Sequence, residues 1–390
     1  MKNRTKVIIA VAIVLPIIYL FAAYTSLDPI AKYRDLYIET AMSTMTHQYL
    51  AKIFPQSVID KAMANTEKQF DENKVERTLP LGQSPFADAL RLHQKPQGAN
   101  AEKTDPWTEL QELFPEINIE TLRPHVTDED LKTLDIENPD YKVKTIHGDD
   151  IYAINVPESI LIINIKTSTY NGMLAISKHP ESTILGTSKN PNRGQTITEM
   201  CGSYNAILGI NASGFYDPGG HGDGKTPVGL VLSQGELSGT RMYDRYQIAG
   251  MDLSNNFIAG YDPDLTQMRD AVQFYPIIIS ENQKQAWGTF GMGIQPRTCI
   301  GQNIRGDMMF LIIDGRQVGH SVGITVQECA DIMLKYDCYI AMNMDGGSSA
   351  SMTYKDKMIT RTSSPMSTGR YLPDAWLVLK QTQESEEPQT

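Results

Sequence analysis

At 390 residues, 41% hydrophobic and 21% charged, the chain has ordinary globular composition and length for two or three domains. Its 35 Lys+Arg against 46 Asp+Glu give a net charge of -11. With no long basic run, that balance argues against nucleic-acid binding, which needs a positive footprint, and against a polybasic grip on anionic lipid beyond the extreme N-terminus.

Lys2, Arg4 and Lys6 precede an uncharged apolar run from Val7 to Tyr24, which closes before Asp28. A run of this length is close to the minimum that spans hydrocarbon, and Pro16 is tolerated inside such a helix. The positive flank places the N-terminus in the cytoplasm and the remainder outside. Leu20–Tyr24 offers no small-x-small cleavage site, so the reading is an uncleaved anchor over 1–27, with a cleaved signal peptide as the alternative. The expectation is a single-pass cell-membrane protein whose C-terminal domain is extracellular.

Over 28–75, Leu36, Ile38, Ala41, Met42, Met45, Tyr49, Leu50 and Ile53 recur at spacings of three and four, which predicts an amphipathic helical region. His47 reads there as a surface residue. Residues 76–139 read as linker and short helices. Pro80, Pro85, Pro96 and Pro106 fall among Gly, Gln and Asn, a linker composition, and a short helical pattern follows at Trp107–Phe114. From about Tyr141 the chain turns β-rich, with strands expected at Ile151–Val156 and Ile160–Ile165. The functional domain is set at 140–382 and a disordered tail at 383–390. The expected class is α+β: a mixed, largely antiparallel sheet with packed helices, preceded by the transmembrane helix and the helical and linker region.

Cys201, Cys299, Cys329 and Cys338 form no C-x-x-C pair, which argues against a zinc or thioredoxin-like site. Outside the cytosol they could form two disulfides in any of three connectivities, and their apolar neighbours equally suit buried free thiols.

Inside the β-rich domain one pattern occurs twice. Gly194-Gln195-Thr196-Ile197-Thr198-Glu199 and Gly323-Ile324-Thr325-Val326-Gln327-Glu328 both carry Thr-x-x-Glu ahead of helical spacing, a capping box. Each helix then yields to a strand ending in an Asn-containing glycine loop: Ala206–Tyr216 in the first case, Cys338–Ser349 in the second. Both loops are expected to face one site, while Glu199 and Glu328 are expected to be caps.

Chemistry gathers at strand–loop boundaries. The apolar run to Met344 delivers Asp345 into Gly346, Gly347, Ser348 and Ser349, and the strand candidate Met308–Ile313 ends at Asp314-Gly315-Arg316, with His320 shortly after. Taken singly, Asp-Gly reads as a hairpin turn, Arg297 as a surface charge and His320 as a solvated loop residue. Asn211-Ala212-Ser213 also matches a glycosylation sequon. Together, two Asp, two Arg and two Asn at such boundaries suit an anionic, oxygen-rich substrate, because guanidinium forks match phosphate oxygens and exposed N–H groups complete a cradle. There is no His/Cys ligand cluster, P-loop or G-x-S-x-G elbow. A divalent ion on Asp314 and Asp345 stays open, without a dense carboxylate cage to hold it. The reading assigns no metal and no cofactor.

Gly194-Gln195-Thr196, Ile210–Phe215, Pro296-Arg297-Thr298, Asp314-Gly315-Arg316, Gly323-Ile324-Thr325 and Asn343–Ser349 resemble, in order, the motifs of the phosphodiester glycosidase family, which includes N-acetylglucosamine-1-phosphodiester α-N-acetylglucosaminidases. The resemblance covers roughly Lys166 to Leu379. It departs from the family at Ser348, where a third glycine is common, and at Asn211-Ala212-Ser213-Gly214-Phe215, where Asn-Gly-Gly-Phe is common.

The resemblance implies hydrolysis of a sugar-1-phosphodiester in cell-surface or exopolysaccharide material. Asp345 would be the carboxylate facing the sugar and Asp314 the second carboxylate. Arg297 and Arg316 would grip the phosphate, with Arg370 a further candidate. Asn211, Asn343 and Gly346, Gly347, Ser348 and Ser349 would orient oxygens. The expected partners are the carbohydrate phosphodiester and the membrane through the N-terminal helix. Two other readings stay open: a non-catalytic module that binds or assembles anionic glycopolymers, and a metal-dependent phosphoesterase.

Overall fold

The computed structural model describes residues 2–44, 47–72, 75, 78–84 and 105–381. Residues 76–77 and 85–104 of the expected linker and all of the tail 383–390 lie outside the described residues. The chain divides into two units, Met1–Glu72 with Gly288–Ile294, and Asn73–Trp287 with Gln295–Thr390.

In the first unit the apolar N-terminal run is helical over Lys2–Tyr24, with Pro16 inside. The anchor expected there falls in part on side chains outside the described residues, and among the described residues no helix is long and apolar enough to cross a membrane. The region expected to be amphipathic breaks into helices Ile30–Met42 and Gln56–Glu72 around a 3-10 turn at Gln48–Ile53. Pro55 lacks the N–H that would continue a helix from before it, and its carbonyl instead accepts the Val58 N–H at 2.9 Å as the next helix begins. Ile38, Ala41, Ala51, Val58, Ile59 and Ala62 form the core that joins these pieces. Gly288–Ile294 packs into the same unit, with the Ile294 N–H donating to Thr40 Oγ1 at 2.9 Å and Phe290 edge-on to Phe70 at 5.1 Å.

The second unit is built on a nine-stranded sheet whose middle strands are Asn171–Ser177, Met308–Ile313, Arg297–Asn303, Cys338–Asn343 and Ile277–Ser280, in that spatial order. Met308–Ile313 and Cys338–Asn343 are buried along their whole length, as continuous apolar runs predict. A five-stranded sheet holds Ala206–Asn211 between Met352–Tyr354 and Asp374–Leu379, and a second five-stranded sheet carries Leu230–Ser233, Met268–Phe274 and Gln247–Asp252. Among the described residues every strand pairing is antiparallel. The α+β class therefore holds, with an antiparallel sheet system rather than a mixed one.

Two helices cover these sheets, and both begin with the capping box their sequences predict. Thr196 caps Ile197–Tyr204 with Glu199 reaching back, and Thr325 caps Val326–Leu334 with Glu328 doing the same. The first packs Ile197, Met200 and Cys201 against Ala206, Ala375 and Leu377; the second buries Val326, Cys329, Ala330 and Met333. All four cysteines are buried and free.

Candidate active site

Antiparallel pairing brings the beginning of one strand beside the end of its neighbour, and that rule assembles the site. Arg297 opens its strand opposite Ile313, the last residue before Asp314. Two positions along, Cys299 faces Asn343, and beyond that strand Ile277 faces Met342. Arg297, Asp314, Asp345 and the Tyr275-Pro276 approach thus share one end of the nine-stranded sheet. In the five-stranded sheet, Asn211 at the end of its strand faces Ala375, which places Asp374 beside the Ala212-Ser213 loop.

Neither Asp-Gly step is a hairpin. Cys338–Asn343 belongs to the nine-stranded sheet, while Met352–Tyr354, the next strand, belongs to the five-stranded one, so the Asp345 loop crosses between sheets. Its glycines make room for main chain. A Cβ on Gly346 would lie 2.6 Å from the Pro296 carbonyl oxygen, one on Gly315 would lie 2.7 Å from the Pro296 nitrogen, and one on Gly323 would lie 2.4 Å from Gln295. Three glycines therefore close around Gln295-Pro296 and hold Arg297 at its strand start. Gly347 has φ +60, and the Arg316 guanidinium reaches within 3.0 Å of where its Cβ would stand, a combination that suits glycine.

Asp345 is gripped through its main chain. Its N–H donates to the Ala212 carbonyl at 3.2 Å, and its carbonyl accepts the Asn211 side-chain amide at 2.6 Å. Asn211 Oδ1 in turn accepts from Thr298 Oγ1 at 2.8 Å and from the Ser351 N–H at 3.3 Å. The two repeated loops are thus hydrogen-bonded to each other. Burial pushes the Asp345 carboxyl up to about 6, while the Ser349 hydroxyl, the Arg370 charge and the Gly346 N–H hold it down and Asp217 pushes it further up.

Arg297 is 2% exposed and donates from Nε to the Ile324 carbonyl at 3.0 Å; burial depresses its pKa. Arg316, with φ +59 and more exposed than Arg297, donates from Nε and Nη2 to Gln295 Oε1 at 2.8 and 2.6 Å. Desolvation and then the like charge of Arg297 depress its pKa, and Asp345 acts in the opposite sense. Arg370 makes a two-pronged ion pair with Asp217, 2.5 and 2.7 Å, lies over the Phe215 ring at 4.6 Å and reaches Ser348 Oγ at 3.4 Å. Asp217 is held below the usual carboxylate range by that pairing.

The remaining expected residues are each held by hydrogen bonds of their own. Asp314 is 6% exposed; its Oδ2 meets His320 Nε2 at 2.7 Å and its Oδ1 accepts the Arg361 N–H at 3.0 Å. Burial raises its pKa, with His320 the strongest opposing influence. Asn343 is fully buried and donates its side-chain amide to the Tyr275 carbonyl at 2.8 Å, while Asn211 is taken up within the loop–loop bridge. Both brace the site main chain.

Asp374 belongs to the site and carries no obvious local signal. It is 1% exposed, and accepts the Ser213 N–H at 2.7 Å and the Ser213 hydroxyl at 2.6 Å. Burial pushes it up to about 6, and the Asp345 charge adds to that rise. The two departures from the family motifs thus both supply hydroxyls here, Ser213 to Asp374 and Ser348 to Arg370. Among the described residues no group of three or more His, Cys, Asp or Glu side chains could hold a metal ion.

Residues 204–379 match the family model described as phosphodiester glycosidase. The motif stretches from Ile210 onward lie inside that range, and Gly194-Gln195-Thr196 lies before it. An SPbeta prophage-derived uncharacterized protein of Bacillus subtilis (strain 168) is 25% identical over 218 residues, which is 51% of this chain and 31% of that protein. The chain therefore spans under a third of the length of that curated relative. Among solved structures, the zebrafish N-acetylglucosamine-1-phosphodiester α-N-acetylglucosaminidase catalytic domain, auto-inhibited by its pro-peptide, is 14% identical with a TM-score of 0.48, covering 57% of this chain and 83% of that one. A hypothetical protein from Synechocystis is 14% identical with a TM-score of 0.42, covering 61% and 65%.

Proposed function

We propose that the chain is a hydrolase of sugar-1-phosphodiesters, breaking the bond between the anomeric carbon and the phosphate oxygen. The observation that carries this reading is Asp345, a carboxyl raised to about 6 in a loop shared with the guanidinium groups of Arg316 and Arg370 and beside Arg297. A phosphodiester brings a permanent negative charge, which the arginines match, and a sugar ring, which needs one carboxylate at its reacting carbon.

In the reaction, the anomeric C–O bond breaks and its electron pair leaves on the phosphate oxygen. Water supplies the oxygen that bonds to carbon, and one proton is released. Phosphate is already a weakly basic leaving group, so strong general-acid help is less necessary than for an alkyl glycoside. Ionised Asp345 takes the proton from the attacking water or attacks the carbon itself, with charge building up as in other glycosidases. Arginine donors fixed before the reaction stabilise the phosphate as it gains charge. Asp374, locked to Ser213, is the carboxylate that answers to Asp345, and Asp314 is held by His320 and the Arg361 N–H.

The substrate proposed is cell-surface or exopolysaccharide material, reached from an exported position. Lys2, Arg4 and Lys6 ahead of the apolar helix support an anchor with the catalytic unit outside. Protease added to intact cells should then remove the catalytic unit; full protection would contradict export.

Incubating the full chain with a chromogenic sugar-phosphodiester in water labelled with heavy oxygen tests the reaction. Label in the released sugar is expected. Label in the phosphate would assign a phosphoesterase, and binding without product would assign a glycopolymer-binding module.

A further inference from the structure

The loop between the Glu236–Gly239 and Gln247–Asp252 strands ends beside the site. Gln273 pins it there: its Nε2 donates to the Met242 carbonyl at 2.9 Å, and its Oε1 accepts the Met242 N–H at 2.7 Å. The two residues after Gln273 are aromatic and stacked, with the Phe274 and Tyr275 rings 5.0 Å apart and 4° from parallel. Tyr246, at the end of the pinned loop, meets Tyr275 edge-on at 5.0 Å and 83°. The Arg245 guanidinium lies over the Tyr275 ring at 5.5 Å.

This cluster is tied to the reacting end of the sheet. The Tyr275 carbonyl accepts the Asn343 side-chain amide at 2.8 Å, two residues before Asp345. Burial raises both phenols, Tyr246 to about 12, and the Asp345 charge pushes each in the same direction. Both tyrosines remain half-buried and Arg245 is exposed.

Tyr246, half-buried and braced by a Tyr275 ring that is itself packed on Phe274 and under Arg245, offers rigid aromatic surface for the apolar C–H face of a pyranose, with a phenol to meet its hydroxyls. The exposed Arg245 guanidinium hydrogen-bonds the Tyr275 side chain and, having five N–H donors, can turn others to a phosphate or carboxylate, while the ring beneath it favours its charge.

We propose that Arg245, Tyr246 and Tyr275 form a subsite that takes a pyranose ring bearing an anionic group beyond the scissile phosphodiester. The subsite selects charged glycans over short neutral conjugates. It rests on the hydrolase reading above, and its test is arranged so that the two can fail separately.

Three probes are compared on the full chain: a sugar-1-phosphodiester of a simple neutral alcohol, one extended by a second pyranose carrying a phosphate, and one extended by a pyranose carrying a carboxylate. The parent is expected to prefer the extended anionic probes, mainly through KM. Arg245→Ala should lower kcat/KM for those probes about tenfold to hundredfold more than for the neutral one, the scale of a lost charge-assisted hydrogen bond. Arg245→Lys should restore part of the preference, and Tyr246→Phe should retain more of it than Tyr246→Ala. The two anionic probes distinguish phosphate from carboxylate as the preferred group. An unchanged probe ratio in Arg245→Ala overturns the subsite. If no probe is cleaved, the hydrolase reading falls, and calorimetric titration of the same probes decides the subsite alone. Equal affinities of parent and Arg245→Ala overturn it, and a tenfold or greater loss upholds it.

Discussion

The Asn211 side-chain amide donates to the main-chain carbonyl of Asp345 at 2.6 Å, a bond between two loops 134 positions apart in the chain. The same amide group accepts from Thr298 and Ser351, so one side chain joins the ends of two sheets at the residue assigned to the chemistry. Asn211→Ala leaves buried polar groups unpaired and should cost about 1–3 kcal/mol. Asn211→Asp should cost more, because it sets a carboxylate against a carbonyl oxygen. Urea unfolding of both variants checks this; a midpoint at the parent value for either would contradict the bridging role.

Gly346 allows the Asp345 loop to lie on the Pro296 main chain, where a Cβ would stand 2.6 Å from a carbonyl oxygen. Gly346→Ala is expected to cost about 1–3 kcal/mol through overpacking, and to cut kcat by roughly 100-fold through misplacement of Asp345. Gly202, inside the Ile197–Tyr204 helix with nothing within 4 Å of its Cβ position, is the control. Gly202→Ala should stabilise by about 0.5–1 kcal/mol and leave kcat alone. Parallel activity and unfolding measurements on the two variants separate site geometry from general tolerance of a methyl group.

Arg370 and Asp217 have side chains only 12% exposed each and pair through two contacts. Removing one partner should cost about 3 kcal/mol, because the other charge is left stranded. Asp217 is lowered on folding by this pairing, so its contribution is present above the unfolded aspartate pKa and is lost as pH falls through the folded value. Arg370→Ala should therefore destabilise at neutral pH and progressively less in acid. The double variant with Asp217→Asn should recover part of the loss. A cost independent of pH would contradict the pairing as its source.

Asp345 and Asp374 are both raised to about 6, in each case first by burial. A carboxyl raised on folding holds a proton that the unfolded chain has already released. Its contribution therefore erodes stability as pH climbs from the ordinary aspartate range to about 6 and is constant above that. Relative to Asp374→Asn, the parent should lose stability across that window and run parallel to it beyond, as urea midpoints at several pH values would show. Turnover should rise through the same window as Asp345 ionises. In Asp374→Asn that rise should move toward lower pH, because a neighbouring negative charge has gone.

Local signals carried much of this site and all of its helix starts. Met308–Ile313 is an unbroken apolar run and is a buried strand over those same residues. Thr196-x-x-Glu199 and Thr325-x-x-Glu328 are self-contained caps, so their geometry could be read without knowing what lies nearby. Asp345 and Arg297 were legible because each sits where an apolar strand meets a polar loop. Asp374 was not, since it opens Asp-Ala-Trp-Leu-Val-Leu after a proline and its ligand Ser213 is 161 positions away. Asn211 and Asn343 stand out in the sequence as amides at glycine loops, but their commitment to main-chain carbonyls depends on how two sheets meet. Gly288–Ile294 packs with the N-terminal helices through Thr40 and Phe70, a pairing that local pattern does not encode.

The central claim, that Asp345 performs chemistry at the sugar, is tested most directly by turnover of a sugar-1-phosphodiester by Asp345→Asn. The substitution keeps the shape and the main-chain grip of Asn211 and removes the ionisable group. The expected result is a folded protein with kcat reduced about 100- to 1000-fold, the scale of losing one transition-state contact. Turnover within about threefold of the parent, in a protein with parental stability, would contradict it.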